Sequence, residues 1–249
     1  MVVIQDNKPV THKSGHQAPL AILYQDSDLV AIHKPPNILV HRSPISRDDT
    51  FVLQTLRNQL GQWVYPIHRL DRATSGVLLF ALNPDTARQV VRQFEARKVE
   101  KIYWALTRGW VDDTGCIDHP MADEEGNNQF QPAVTSYRCL ARVELPYSVD
   151  RYPTSRYSWV EVKPQTGRRQ QIRKHFKHIS HHLIGDTTHG NGKHNRFFRE
   201  HYSIQRLMLT AQHLGLNHPV SGQSLVIRAN LEPEWDNLLA EFCWGNSVL

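Results

Sequence analysis

The residues best placed to do chemistry fall in one string, His68-Arg69-Leu70-Asp71-Arg72-Ala73-Thr74-Ser75-Gly76, which stops where the continuous apolar run Val77 to Leu82 begins. Polar groups crowded onto a turn at the mouth of a buried strand are held by a rigid scaffold yet stay reachable, the usual setting of reactive groups. The field of Arg69 and Arg72, with backbone or hydroxyl donors at Thr74 and Ser75, favours an ionised Asp71 carboxylate. Such a carboxylate serves as a nucleophile or a base. Spacing alone equally allows a plain turn aspartate bridging two arginines.

Charge gives a second pointer. The chain of 249 residues carries a net charge of +5, but residues 151–206 hold twelve Lys and Arg against three acids, Glu161, Asp186 and Glu200, so the remainder is net acidic. A stretch of that kind meets polyphosphate or is simply a solvated face. It also carries His175, His178, His181, His182, Asp186, His189 and His194, which opens a rival reading as a metal-dependent hydrolase. Against that reading, the sequence has no HExxH, and His175, His178 and His182 share their segment with arginines. A non-catalytic RNA-binding module is the other class the basic stretch would serve.

The elements that must position these groups read as follows. Leu23 to Tyr24 and Leu29 to Lys34 form a hairpin around Asp26-Ser27-Asp28. A helix runs from about Asp49 through Leu53, Leu56 and Leu60 to Gly61, and Val77 to Leu82 is a buried strand. Asn83 caps a helix with Pro84 at its first position and Ala87, Val90, Val91 and Phe94 on one face. Strands follow at Lys101 to Thr107, Ala133 to Leu140 and Tyr157 to Lys163. Between the first two, Gly109 to Gln131 reads as a connection carrying little core. A helix from about Arg169 puts Ile172, Phe176 and Ile179 on one face. Gly190 to His201 reads as an exposed loop; Leu207 to Leu209, Leu214 to Asn217 and Ser224 to Arg228 read as strands, and Pro233 to Phe242 as a final helix.

With 40% hydrophobic residues the chain can bury a sizeable core. Residues 1–19 read as a flexible tail and 20–249 as a single mixed α/β domain without sequence repeats. Three scattered cysteines, no CxxC pair, no signal peptide and no membrane span lead to a cytoplasmic expectation.

The string around Asp71 matches, in order and sense, the HRLDxxTSG motif of pseudouridine synthases of the RluA class, and the chain resembles that class from about Ile22 to Trp244. Leu29 to Pro35 resembles its early Lys-Pro segment, Lys101-Ile102-Tyr103-Trp104-Ala105-Leu106 its tyrosine motif, and Thr166-Gly167-Arg168 through Asp186 its later basic motif. The texture around Val40-His41-Arg42-Ser43, Gln131 to Thr135 and Arg151 to Tyr157 is similar to the branch of the class acting on transfer RNA.

The resemblance implies a curved, mainly antiparallel sheet with flanking helices and a central cleft, and isomerisation of uridine to pseudouridine without metal or cofactor. The implied partner is transfer RNA at position 65 of the acceptor-stem region, with ribosomal RNA as the alternative. A monomer without an S4-type domain or membrane partner is expected. Asp71 takes the place of the catalytic aspartate, Tyr103 of the tyrosine against the target base, and Arg173 of the arginine paired with the aspartate. Arg69 would fill the gap left by the extruded nucleotide. Thr74, Arg168, Arg169, Gln170, Ile172, Lys174 and Leu209 complete the implied substrate-binding set, with Leu207 and Met208 beside Leu209 in an apolar patch.

Four positions depart from the class pattern. Gln170 and Thr210 stand where histidines are usual, a paired change that suggests a hydrogen bond between them. His33 and Asn37 replace the commoner Asn and Gly, in a turn far from Asp71 in sequence.

Overall fold

A computed structural model describes residues 18–42, 50–122 and 129–244; most of the expected tail, and the expected start of the first helix at Asp49, lie outside them. The chain opens on a hairpin of β1 (Ala21–Gln25) and β2 (Leu29–Lys34). Asp26 makes the turn, its Oδ1 accepting from the backbone N–H groups of Asp28 and Leu29 at 2.8 and 2.7 Å. Helix α1 (Val52–Leu60) stops at Gly61, whose φ of 64° is the left-handed conformation glycine takes without cost. Next come β3 (Tyr65–Pro66) and β4 (Ser75–Ala81), which flank the Asp71 string. Every residue of β4 is buried, as its unbroken apolar run requires. Helix α2 (Pro84–Glu95) begins where the Asn83 side chain accepts from the Thr86 N–H at 2.8 Å.

After β5 (Glu100–Arg108) the structure departs from the sequence reading. The stretch taken as a connection holds β6 (Thr114–Asp118), β7 (Met121–Ala122) and β8 (Phe130–Gln131), and it buries Val111, Ile117 and Met121. Few apolar residues are needed because β6 is an edge strand. Gly115 lets the Tyr137 ring lie on it, where a Cβ would come within 2.3 Å of the ring.

Strands β9 (Val134–Leu145) and β10 (Ser155–Pro164) pair over their whole length, and α3 (Gln171–His178) follows. Residues read as an exposed loop form α4 (Gly192–Tyr202). Asn191 caps it, and His194, Phe197 and Phe198 are buried at helical spacing among charged neighbours that hid the pattern. The two short strands expected near Leu207 and Leu214 are one, β11 (Leu209–Asn217), with Leu207 and Met208 before it. Then come β12 (Ser224–Arg228) and α5 (Pro233–Glu241).

The main sheet runs β1-β2-β4-β11-β5-β10-β9-β6, with β12 on β11 and β3 on β4. All of these neighbours are antiparallel except β4 and β11, which pair in parallel over only Ser75–Thr210 and Gly76–Ala211. That short seam lies between the two halves of the molecule. One half packs Val30, Leu56, Leu78 and Phe80 with α1, the other Tyr157, Trp159, Phe198 and Trp235 with α4 and α5. No helix among the described residues is long and apolar enough to cross a membrane.

Candidate active site

The Asp71 string crosses the front of the seam. The backbone N–H of Thr74 donates to the Asp71 carbonyl at 3.1 Å, closing a tight turn. Gly76 follows at φ 105°, so close to β11 that a Cβ would stand 2.3 Å from the Ala211 carbonyl oxygen; only glycine fits. His68 is fixed at the other end. Its ring stacks on Phe94 at 5.0 Å and its Nε2 accepts from the Leu79 N–H at 3.1 Å. Burial, with Lys101 adding, pushes its pKa down to about 3, so the imidazole is a neutral acceptor.

The guanidinium that reaches the Asp71 carboxylate comes from α3, with Arg173 Nη1 at 3.3 Å from Oδ2. Its other donors clasp Asp186, Nε to Oδ2 at 2.7 Å and Nη2 to Oδ1 at 2.8 Å. Asp186 also accepts from the N–H groups of Thr188 and His189, both at 2.9 Å. Burial would push Arg173 down, but the hydrogen bonds and charge of Asp186, aided by Asp71, hold it above its ordinary value. Burial would likewise raise Asp186, yet Arg173 and the two amides keep it below the usual carboxylate range. Both shifts describe one permanently ionised pair. Asp186 is the partner of Arg173 that sequence reading left in the wrong company, among histidines as a metal ligand. Its signal was the arginine thirteen positions before it.

Asp71 is half-buried on the wall of a cavity of about 600 Å³, a size usual for a bound small molecule or a single nucleotide. Tyr103, on β5, stands in the same wall. Burial and the Asp71 charge raise its phenol well above the ordinary value, so it stays protonated. Arg69, Thr74, Arg168, Arg169, Gln170, Ile172, Lys174 and Leu209 line this cavity as well, although their spread in sequence runs over 140 positions. Leu207 and Met208 do not; both are buried in the core. Sequence reading missed Lys101, Met121 and Gln131, which close the cavity's other side.

Three finer expectations need correcting. The Ser75 hydroxyl is turned away from Asp71 and accepts from Arg206 Nη1 at 3.2 Å. Gln170 does not meet Thr210. Its Oε1 takes a hydrogen bond from His189 Nε2 at 2.8 Å, while the buried Thr210 hydroxyl has no partner among the described residues. The basic stretch is not one anion-binding face either. Arg168, Arg169 and Lys174 front the cavity, but Arg173 and Arg206 are buried in ion pairs, and Arg156, Lys163 and Lys193 face acids elsewhere.

The histidines of the metal reading are dispersed. His175 bonds the His119 carbonyl, His181 the Arg108 carbonyl, His182 the His189 carbonyl and His194 the Tyr157 hydroxyl. Among the described residues the group gathered at ligand distance is Asp26, Asp28 and His218. There His218 Nδ1 accepts from Val220 and Ser221 while Nε2 donates to Asp26 at 2.9 Å, which leaves the ring no lone pair for a cation.

A carboxylate, an aromatic phenol and a shared arginine thus meet around one cavity of about 600 Å³. Residues 28–178 match the family model of the RNA pseudouridylate synthases, and the chain belongs to that family. Its similarity to curated proteins is narrower. It is 49% identical to tRNA pseudouridine synthase C of Vibrio cholerae, over 92% of this chain and 98% of that protein. It is 48% identical to the protein of the same name from Pasteurella multocida, over 92% and 99%. Among solved structures, human RNA Pseudouridylate Synthase Domain Containing 1 is similar with a TM-score of 0.68 at 26% identity, over 89% of this chain and 87% of that one.

Proposed function

We propose that this chain is a cytoplasmic transfer RNA pseudouridine synthase whose single catalytic domain isomerises a uridine in the acceptor-stem region, at nucleotide 65. The observation that carries the reading is the Asp71 carboxylate, 3.3 Å from Arg173 on the wall of the cavity that also holds Tyr103. Relatives at 48 and 49% identity named for transfer RNA support the substrate class.

The isomerisation breaks the bond between N1 and the sugar C1′, turns the uracil, and forms a bond from C5 to C1′. The C5 proton leaves and N1 gains one, so no atom is added or lost. Asp71 begins this sequence by attacking the sugar, attacking the ring, or taking a proton. Arg173 donates from Nη1 to the carboxylate and orients it. Tyr103 offers a π-face to the uracil.

Because a duplex hides the glycosidic bond, the nucleotide must be extruded, at a cost of a few kcal/mol. Arg168, Arg169 and Lys174 at the cavity mouth help offset this through phosphate contacts, and Arg69 fills the vacated stack. Those contacts give affinity without sequence readout, so RNA shape selects the target.

The test is pseudouridine mapping of total RNA in cells lacking the gene, then restored with wild type or Asp71→Ala. Loss of one transfer RNA site, recovered only by wild type, supports the proposal. Loss at a ribosomal site keeps the chemistry and overturns the substrate; unchanged maps overturn both.

A further inference from the structure

Behind the Asp71 loop, on the side away from the cavity, lies a second charged cluster that the chemistry above does not use. Arg206, just before β11, is buried, and its Nη1 donates both to the Ser75 hydroxyl at 3.2 Å and to Glu232 Oε1 at 2.8 Å. Glu232 is the residue that starts α5, and His33 Nε2 lies 3.3 Å from the same oxygen. Beside them the fully buried Lys34 donates from Nζ to the carbonyls of Pro35 and Arg72, at 2.7 and 3.1 Å. Arg72 in turn gives its Nε to the Asn37 carbonyl at 3.2 Å, and Asn37 holds a φ of 64° where the family's commoner glycine would sit freely. His33 and Asn37, remote from Asp71 in sequence, are therefore at the back of its loop.

The cluster is only partly satisfied, although against burial the hydrogen bonds from His33, Arg206 and Ser75 hold the Glu232 carboxyl below its ordinary value. Arg206 Nε and Nη2 and Glu232 Oε2 are buried without a partner among the described residues. Orphaned buried polar groups oppose folding, and replacing such a pair by apolar side chains is often neutral or favourable. What it accomplishes is geometric. Ser75 is the residue after the turn that the Thr74 N–H closes onto Asp71, and Gly76 behind it is wedged against Ala211. A displacement of Ser75 has nowhere to go but into the turn. The Arg206 backbone is itself pressed on Gly185, where a Cβ would come within 1.7 Å of the Arg206 carbonyl oxygen, and Gly185 adjoins Asp186. One segment thus carries the partner of Arg173 in front and touches the support of Ser75 behind.

We infer that Arg206 and Glu232 are positioning residues for the isomerisation: through the Ser75 hydroxyl they fix where the Asp71 carboxylate stands, without entering the cavity. The inference rests on Asp71 being the reacting group. Misplacing a reacting group by about 1 Å costs up to about 100-fold in rate, while affinity for RNA, set by the cavity mouth, is untouched.

The test uses the full-length protein and a transfer RNA transcript tritiated at uridine C5, since bond formation at C5 releases that label. Single-turnover rates and transcript Kd by filter binding are measured for Ser75→Ala, Arg206→Met, Arg206→Lys and the Ser75→Ala/Arg206→Met double variant. Asp71→Ala serves as the control. The expected result is a rate reduced about 10- to 100-fold in Ser75→Ala and Arg206→Met with Kd unchanged within twofold. Partial recovery is expected in Arg206→Lys, and the double variant should be no slower than the slower single one. Should Arg206→Met fail to fold, Ser75→Ala carries the test alone. Wild-type rates in Ser75→Ala, or losses of rate matched by equal losses of binding, overturn the inference. An active Asp71→Ala protein overturns the reading beneath it instead.

Discussion

Two buried ion pairs flank the Asp71 loop, and they differ in how they use their donors. In front, Arg173 gives two parallel N–H groups to Asp186 and one to Asp71, and the backbone amides of Thr188 and His189 occupy Asp186 further. Behind, Arg206 engages Glu232 and Ser75 through a single nitrogen and leaves two donors idle. Each nitrogen of the front guanidinium has a carboxylate partner, on the cavity wall. The rear pair is unsaturated, so it defines a position at the expense of stability. The hydrogen bond to one carboxylate and the support of its loop thus come from separate arginines.

The comparison can be broken most severely at the front. Asp186→Ala strands the Arg173 guanidinium in a buried site, and urea denaturation should show a loss of about 3–5 kcal/mol, the cost of halving a buried pair. The rear pair should behave oppositely. Arg206→Met combined with Glu232→Leu should leave stability unchanged or raise it by about 1–4 kcal/mol while turnover falls. A double variant that is both unstable and fully active would reverse the assignment of roles.

Smaller effects sharpen the same contrast. Phe130 is 69% exposed and pairs across from Ala122, which lines the cavity, so it is an open ring next to the cavity wall. Phe130→Ala should weaken transcript binding by about 1–3 kcal/mol, the usual worth of one base stacked on an aromatic side chain, with the single-turnover rate preserved. At the rear, burial pushes Lys34 down to about 7 against the pull of Asp71, from an ordinary value of 10.5. The unfolded chain therefore binds a proton that the folded chain lacks between those values. The penalty is whole below about pH 7 and disappears as the pH rises toward 10.5. Relative to Lys34→Met, wild type should gain stability over that window, by at most about 1.4 kcal/mol per pH unit, measured by denaturation at a series of pH values.

The front of the site was legible because its parts are local or patterned. The string His68 to Gly76 is contiguous, β4 is an unbroken apolar run, and Arg173 lies on a helix whose apolar period is plain. The rear was not legible. Ser75 and Arg206 are 131 positions apart, and a lone arginine before a strand resembles any surface cation until the fold buries it. His33 and Asn37 showed as departures from the family pattern, but nothing in sequence says that their turn returns to the Asp71 loop. Helix α4 was hidden for a related reason. Its apolar face is a narrow stripe of His194, Phe197 and Phe198 amid charges, adequate only because a large aromatic core is waiting for it. Asp186 was visible as a residue and invisible as a partner, since six nearby histidines offered it a more obvious company.

The most direct test of the central claim is tritium release by Asp71→Asn, which keeps the side chain's shape and removes its charge. With enzyme in excess over C5-tritiated transcript, wild type should release the label from its one target uridine. The variant should bind the transcript with unchanged Kd and release none. Release by Asp71→Asn within tenfold of the wild-type rate would contradict the account, because the reaction would then proceed without the carboxylate around which both ion pairs are arranged.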